Sequence, residues 1–288
     1  MEEGKKWRFT FAILPDVQLG RELFAINFYD PWWLTLWRIP QKEAVVGEKI
    51  AERLKKAVEW INNQEGVQFV ASIGDLTDSG TSEQFREARE ILDKLTKPFI
   101  PMMGNHDVWP YQRKKGEKKV IWEAERPLTV SEFEAHFREW KNSPCFENFE
   151  AQGGWLQNYA FTVKGVRFVV VDNNNRRKAP FGLPGQTGWS KLYPKSKEWL
   201  TKWVLDTQKE KTMIILSHAT ISMRLLKRLA KKIAKERKII DIAGHTHKRT
   251  ENRWQNITIL TTNALYHEPL IFLGQVSQGG IKFEYHRI

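Results

Sequence analysis

This chain of 288 residues contains one cysteine, Cys145. A single thiol excludes an internal disulfide framework and any cysteine-rich metal site, and leaves Cys145 as an incidental packed or surface group. No stretch approaches the roughly 20 consecutive apolar residues that span a bilayer, so no transmembrane segment is expected. Internal repeats, low-complexity tracts and long Gly/Ser linkers are also missing, so one domain over residues 1–288 is the expectation. The opening residues, Met1–Lys6, are charged and run straight into a strand-like segment, without the pattern of a signal peptide. A cytoplasmic protein follows as the default, with secretion the alternative for a chain whose leader has been removed. Acidic charge is in deficit: 34 Asp and Glu against 46 Lys and Arg leave a net charge of +12. That balance favours anionic partners, whether nucleotides, phospholipids or nucleic acid. The excess is spread from Lys5 to Arg287, so it also fits a solvated lysine surface.

What the chain does have is core material: 41% hydrophobic residues, with 13 Trp and 16 Phe. Strand-like and helical runs alternate. Strands are predicted over 8–14, 67–73, 99–103, 159–163, 166–171, 212–216 and 239–243, with a tight hairpin at Lys164-Gly165. Helices are predicted over 47–63, 82–95, 195–205 and 222–235, each from an apolar stripe at helical spacing. Residues 257–288 read as three further strands with turns at Asn263-Ala264 and Gly279-Gly280. Alternation followed by a β-rich end predicts an α/β fold of packed mixed sheets covered by helices. Two stretches break the pattern: an aromatic insertion at 20–46, containing Trp32, Trp33 and Trp37, and a basic and aromatic loop at 108–130, containing Trp109 and Arg113–Lys119. Loops of that length after strand ends usually form substrate walls or lids.

Five short motifs each follow a run that reads as a buried strand: Asp16-Val17-Gln18, Gly74-Asp75-Leu76-Thr77-Asp78, Gly104-Asn105-His106-Asp107, Ser217-His218 and Gly244-His245-Thr246-His247. Taken singly, each has an ordinary reading. Asp16 and Asp75 fit helix caps, Asn105 fits turn chemistry after a glycine, and His218 fits a hydrogen-bonded core histidine. His245 and His247, two apart, would share one face of a strand, which suits a pair of ligands or a polar edge. Together they offer carboxylates, amide oxygens and imidazoles at strand ends, where open α/β sheets place their ligands.

In this order the motifs resemble those of the calcineurin-like metallophosphoesterase superfamily: D-x-H, G-D-x-x-D, G-N-H-D/E, a histidine after an apolar strand, and G-H-x-H. The resemblance runs from Asp16 to His247. It implies a four-layer αββα sandwich of two mixed sheets flanked by helices, and two divalent metal ions at the strand ends. Asp16, Gln18, Asp75 and His247 would hold the first ion. Asp75, Asn105, His218 and His245 would hold the second, with Asp75 shared. Such ligands accept Mn, Fe, Zn or Ni. The resemblance further implies that His106 donates a proton to the leaving alkoxide and that Asp78 orients it. The implied activity is hydrolysis of phosphomonoester, phosphodiester or pyrophosphate bonds by a hydroxide that two metals activate.

The sequence departs from the pattern at two places. Gln18 stands where the first motif usually has histidine; its neutral, harder amide oxygen shifts preference toward Mn or Mg, and a glutamine here also looks like the Mn-dependent ADP-ribose/CDP-alcohol pyrophosphatases and some bacterial extracellular phosphoesterases. Ser79 stands where the protein Ser/Thr phosphatases have a phosphate-clamping arginine, which Arg176, Arg177 or Arg113 is placed to replace. A small phosphorylated substrate, nucleotide or phospholipid head group is the expected partner, with the nucleotide preferred. A nuclease is the alternative that the charge favours, but no nucleic-acid module is recognisable. A metal-poor binding scaffold is the non-enzyme alternative. The basic helix at 222–235 needs only its apolar stripe to cover a sheet, yet it also suits binding to anionic phospholipid or nucleic acid.

Overall fold

The computed structural model describes residues 7–20, 48–109, 111–113, 120–122, 127–137, 145–153, 157–177, 190–206, 211–277 and 280–288. Residues 21–46 of the aromatic insertion and 114–119 of the basic run lie outside these. The first half contains β1 (Trp7–Leu14), α1 (Glu48–Asn62), β2 (Val67–Ser72), α2 (Ser82–Leu92), β3 (Phe99–Ile100), α3 (Asn105–Val108), β4 (Tyr111–Arg113), β5 (Val120–Trp122) and α4 (Val130–Glu134). The second half contains β6 (Glu147–Gln152), β7 (Asn158–Val163), β8 (Val166–Val171), α5 (Pro194–Leu205), β9 (Thr212–Ser217), α6 (Met223–Ala230) and β10 (Lys238–Ala243). It closes with β11 (Thr250–Trp254), β12 (Ile257–Thr261), β13 (Leu270–Ser277) and β14 (Gly280–Arg287).

Two mixed sheets result, as the α/β sandwich expectation requires. One has five strands in the order β14-β13-β1-β2-β3, the other seven in the order β11-β12-β10-β9-β8-β7-β6. The central strands run parallel, β1 with β2 and β2 with β3 in the first sheet, β8 with β9, β9 with β10 and β10 with β12 in the second. Strands covered on both faces need apolar residues at successive positions, which is why Phe168–Val171 and Met213–Leu216 read as continuous apolar runs. The period of two separates the faces. Phe168, Val170, Ile214 and Leu216 belong to the core between the sheets, whereas Val169, Val171, Met213 and Ile215 pack with Trp199 and Trp203 of α5 and Leu226 and Leu229 of α6.

Four rings join the two sheets. Phe11 of β1 stacks on Phe69 of β2 at 5.5 Å between centroids, and Phe168 of β8 meets them edge-on at 5.2 and 5.1 Å. Phe161 of β7 stacks on Phe168 at 5.2 Å. All four are fully buried, each contributing about 1.5–3 kcal/mol by leaving water. On the first sheet's side, Leu54, Val58 and Ile61 of α1 and Phe85 and Ala88 of α2 join the same core. No helix among the described residues is long and apolar enough to cross a membrane.

Three elements stop three or more residues sooner than predicted. β3 ends at Ile100 rather than Met103, because Pro101 has no N–H for a ladder and the Met103 N–H donates instead to Gln157 Oε1 at 2.9 Å. α2 ends at Leu92 rather than Leu95, where Lys94 and Leu95 donate to carbonyls only three residues back. α6 ends at Ala230 rather than Lys235. There the chain must turn into β10, and the buried Arg237 guanidinium takes up the Val204 and Trp203 carbonyls at the end of α5.

Candidate metal centre

The five motifs sit on the loops that leave β1, β2, β3, β9 and β10 at their carboxyl ends, so both sheets deliver side chains to one place. The loops are joined by main-chain hydrogen bonds. Gln18 N–H donates to Asp75 O at 2.8 Å, Gly244 N–H to His218 O at 2.9 Å, and Leu265 N–H to Asp16 O at 3.0 Å. Seven non-glycine residues among those described have positive φ, and four of them are Gln18 (48°), Asp75 (53°), His245 (64°) and His247 (55°). A left-handed backbone costs a non-glycine residue on the order of 1–3 kcal/mol, so its concentration here means that surrounding structure forces these side chains inward.

Their atoms converge. Asp16, Asp75 and His218, all buried, each offer one ligand atom within 4.8 Å of the others. His218 Nε2 lies 2.7 Å from Asn105 Oδ1, 3.4 Å from Asp75 Oδ2 and 3.2 Å from His245 Nδ1, and Asn105 Oδ1 lies 2.9 Å from His245 Nδ1. On the other side, Asp75 Oδ2 accepts from Gln18 Nε2 at 3.2 Å, and His247 Nε2 stands 3.5 Å from that nitrogen and 3.8 Å from Asp16 Oδ1. All seven side chains predicted as ligands therefore gather around the Asp75 carboxylate.

Burial and like charge shape the electrostatics. Burial, aided by the Asp75 charge, pushes Asp16 up to about 7. For Asp75 burial acts in the same sense, but the His218 and His106 charges and their N–H groups outweigh it and hold the carboxyl far below its usual range. His218 is pushed down by burial yet rises to about 9, because Asp75, Asp16 and the Ile73 carbonyl all favour its charged form. Among the described residues, only histidines form ion pairs with Asp16 and Asp75. Two buried carboxylates without lysine or arginine partners, ringed by amides and imidazoles, make a donor set that fits divalent cations.

His106 occupies the rim, its side chain 14% exposed. The sequence reading gave its orientation to the Asp78 carboxylate. In the structure His106 Nδ1 donates to the Asp78 main-chain carbonyl at 2.7 Å, and the carboxylate stands off at 3.7 Å. The backbone N–H of His106 donates to Asp75 Oδ1 at 2.9 Å.

With this geometry in view, the comparisons with known proteins become decisive. The model of the calcineurin-like phosphoesterase family matches residues 9–249. The chain belongs to that family. It is thus a metallophosphoesterase, a hydrolase of phosphoric esters. A curated relative, a probable glycerophosphodiester phosphodiesterase (GpdQ) of Arcobacter nitrofigilis, is 22% identical over 232 residues, covering 76% of this chain and 71% of the relative. Two solved structures share the fold at a TM-score of 0.51. GAP50, the anchor in the inner membrane complex of Plasmodium, is 14% identical, over 97% of this chain and 84% of its own. Purple acid phosphatase PPD1 from yellow lupin (Lupinus luteus) seeds is 12% identical, over 97% of this chain and 51% of its own.

Two groups of this phosphoesterase that sequence reasoning passed over hold the centre in shape. Asp107 accepts from the Gly104, Leu76 and Thr77 N–H groups at 2.8, 3.2 and 2.9 Å, tying the second and third loops together. Its place as the fourth letter of its motif was the available signal. Tyr266 OH lies 2.9 Å from His247 Nδ1, and nothing in the sequence links residues so far apart. Arg176 is one of the three arginines that could stand in for the phosphate clamp. It is buried in a two-point ion pair with Asp172, at 2.8 and 2.5 Å. Trp109, expected in a loop wall, is buried and donates to Asn175 O at 3.0 Å.

Close packing extends to the last loop of this phosphoesterase. A Cβ on Gly244 would stand 2.2 Å from Asp16 Oδ2, so Gly244→Ala is expected to lower stability by about 1–3 kcal/mol through overpacking. Urea unfolding of the chelator-treated protein measures this, and an unchanged midpoint would mean that the loop yields freely.

Proposed function

We propose that this phosphoesterase hydrolyses small phosphodiesters, with two divalent cations held in overlapping sets that share Asp75. Asp16, Gln18, Asp75 and His247 form one set; Asp75, Asn105, His218 and His245 form the other. The observation that carries this reading is that Asp75 Oδ2 faces both sets at once, 3.4 Å from His218 Nε2 and 3.2 Å from Gln18 Nε2. Gln18 turns its amide nitrogen toward Asp75; a half-turn of the amide presents the oxygen at the same place. That neutral oxygen, with the carboxylates, favours Mn as the working metal.

Divalent cations held by these residues would supply Lewis acidity toward the phosphoryl oxygens and would lower the pKa of a water toward neutrality. The chain's own groups do the rest. The His218 Nδ1–H donates to the Ile73 carbonyl at 2.9 Å, which leaves Nε2 as the ligating atom. Tyr266 holds His247 in the same way through Nδ1, leaving Nε2 toward Asp16. His106, anchored at Nδ1 by the Asp78 carbonyl, turns Nε2 to the leaving alkoxide and gives it a proton. The diester class is supported by the glycerophosphodiester phosphodiesterase relative and by Gln18. Within that class, Gln18 favours a nucleotide diester.

Manganese-loaded protein is expected to hydrolyse bis-p-nitrophenyl phosphate faster than p-nitrophenyl phosphate, and then glycerophosphodiesters. A preference of tenfold or more for the monoester would overturn the diesterase reading, and less than one ion per chain would overturn the paired sets. Tyr266→Phe is expected to weaken Mn binding about 10–100-fold, the usual effect of removing a partner that orients a ligating histidine. Titration of the metal-free protein reads this directly. An unchanged affinity would remove His247 from the ligands or Tyr266 from its support.

A further inference from the structure

Residues 224–235 contain Arg224, Lys227, Arg228, Lys231, Lys232 and Lys235, and no Asp or Glu. On α6 the buried side chains are Leu226, Leu229 and Ala230, which pack on the outer face of the seven-stranded sheet. Arg224, Lys227, Arg228 and Lys231 follow the spacing i, i+3, i+4, i+7, so they form one stripe on the opposite side. All six cations but the half-buried Lys227 are exposed. Lys227 lies over the Trp254 ring at 4.8 Å, and among the described residues no carboxylate forms an ion pair with any of the six. At its far end the run meets a cavity of about 580 Å³ of mixed charge, lined by Lys235, Lys238 and Arg253 together with Glu236 and Glu251.

We propose that this face docks the protein on an anionic phospholipid surface. Each Lys or Arg close to such a surface strengthens attachment about fivefold, and a four-cation stripe on one outward side, with Lys232 and Lys235 exposed just beyond the helix, suits a planar, negatively charged partner. Two features favour lipid over nucleic acid. Four of the six are lysines, compact point charges without the planar fork that suits arginine to phosphate and base recognition. Met223 and Leu225, half-buried on either flank of the stripe where they also pack against the core beneath α6, gain from the interfacial zone of a bilayer, whereas a polynucleotide backbone would leave their exposed parts wet. α6 starts five residues after His218, so a short connection separates the stripe from the metal-centre loops. This inference does not depend on which ester is cleaved.

The test is co-sedimentation with vesicles of phosphatidylcholine alone, or with about one-third phosphatidylglycerol, at about 0.1 M and about 1 M salt. The expected result is binding to the anionic vesicles only, weakened at least about tenfold at high salt. The variant carrying Arg224→Gln, Lys231→Gln and Lys232→Gln is expected to bind about 100-fold more weakly, with unchanged hydrolysis of a soluble diester showing that it folds. The charge-keeping pair Lys231→Arg and Lys232→Arg is expected to bind as the parent does. Equal binding to neutral vesicles, or undiminished binding by the triple variant, would overturn the proposal. So would tighter binding to duplex DNA than to anionic vesicles at the same salt, which would reassign the face to nucleic acid.

Discussion

Asp75→Asn is expected to cost the protein both cations together and to lower phosphodiester turnover at least about 10³-fold. Loss of a single transition-state hydrogen-bond donor costs about 10²–10³-fold, and this change removes the charge that both ligand sets share. The amide keeps the shape of the carboxylate but is neutral, so its nitrogen must replace either Oδ2, which faces His218 and Gln18, or Oδ1, which accepts the His106 N–H. The fold itself should survive. Asp16 and Asp75 are buried like charges, and burial together with Asp75 pushes the Asp16 carboxyl up to about 7, so neutralising one of them relieves repulsion. A thermal scan separates the two effects. With Mn at about 100 times its dissociation constant the parent protein gains about 2.7 kcal/mol of stability; the variant is expected to gain little, and to unfold close to the parent when both are treated with chelator. Two bound ions per variant chain, with turnover retained, would defeat the shared-carboxylate arrangement.

The residues that make this prediction possible were legible because they end buried strands. A strand covered on both faces, such as β9 with its unbroken Met213–Leu216, is a continuous apolar run, and the letter that breaks the run marks the loop. Four of the seven histidines, His106, His218, His245 and His247, fall at such breaks. The edges of the larger sheet carried no such mark. β6 and β11 are mostly exposed and built from polar residues such as Glu147, Glu150, Glu251 and Arg253, so neither alternation nor an apolar run betrays them. The left-handed turns at Gln18, Asp75, His245 and His247 were equally hidden, since no glycine announces them; tertiary packing imposes them. Tyr266 reaches His247 only through the loop that follows β12. Arg176 is instructive in the other sense. Its partner Asp172 stands four residues earlier, an acid–base pair visible in the sequence, but only the burial of both shows that the arginine is spent on structure.

His106→Ala is expected to leave the cation content unchanged and to lower turnover of alkyl phosphodiesters about 10²–10⁴-fold, the usual worth of a positioned general acid. Its ring sits at the rim, not among the converging ligand atoms, and its nearest anchor is the Asp78 carbonyl, 2.7 Å from Nδ1. The backbone N–H that His106 gives to Asp75 Oδ1 at 2.9 Å survives the substitution, so the Asp75 carboxylate keeps its orientation. The loss must then depend on the leaving group. An alkoxide needs a proton to depart; p-nitrophenolate does not, so hydrolysis of bis-p-nitrophenyl phosphate is expected to fall far less than that of a glycerol or nucleoside diester. Asp78→Asn probes the same proton from the other side. Its main-chain carbonyl still holds Nδ1, so a much milder loss is expected than for His106→Ala, whereas control by the carboxylate would make the two losses similar. Equal loss on aryl and alkyl substrates, or metal lost along with activity, would show that His106 supports the centre rather than the departing oxygen.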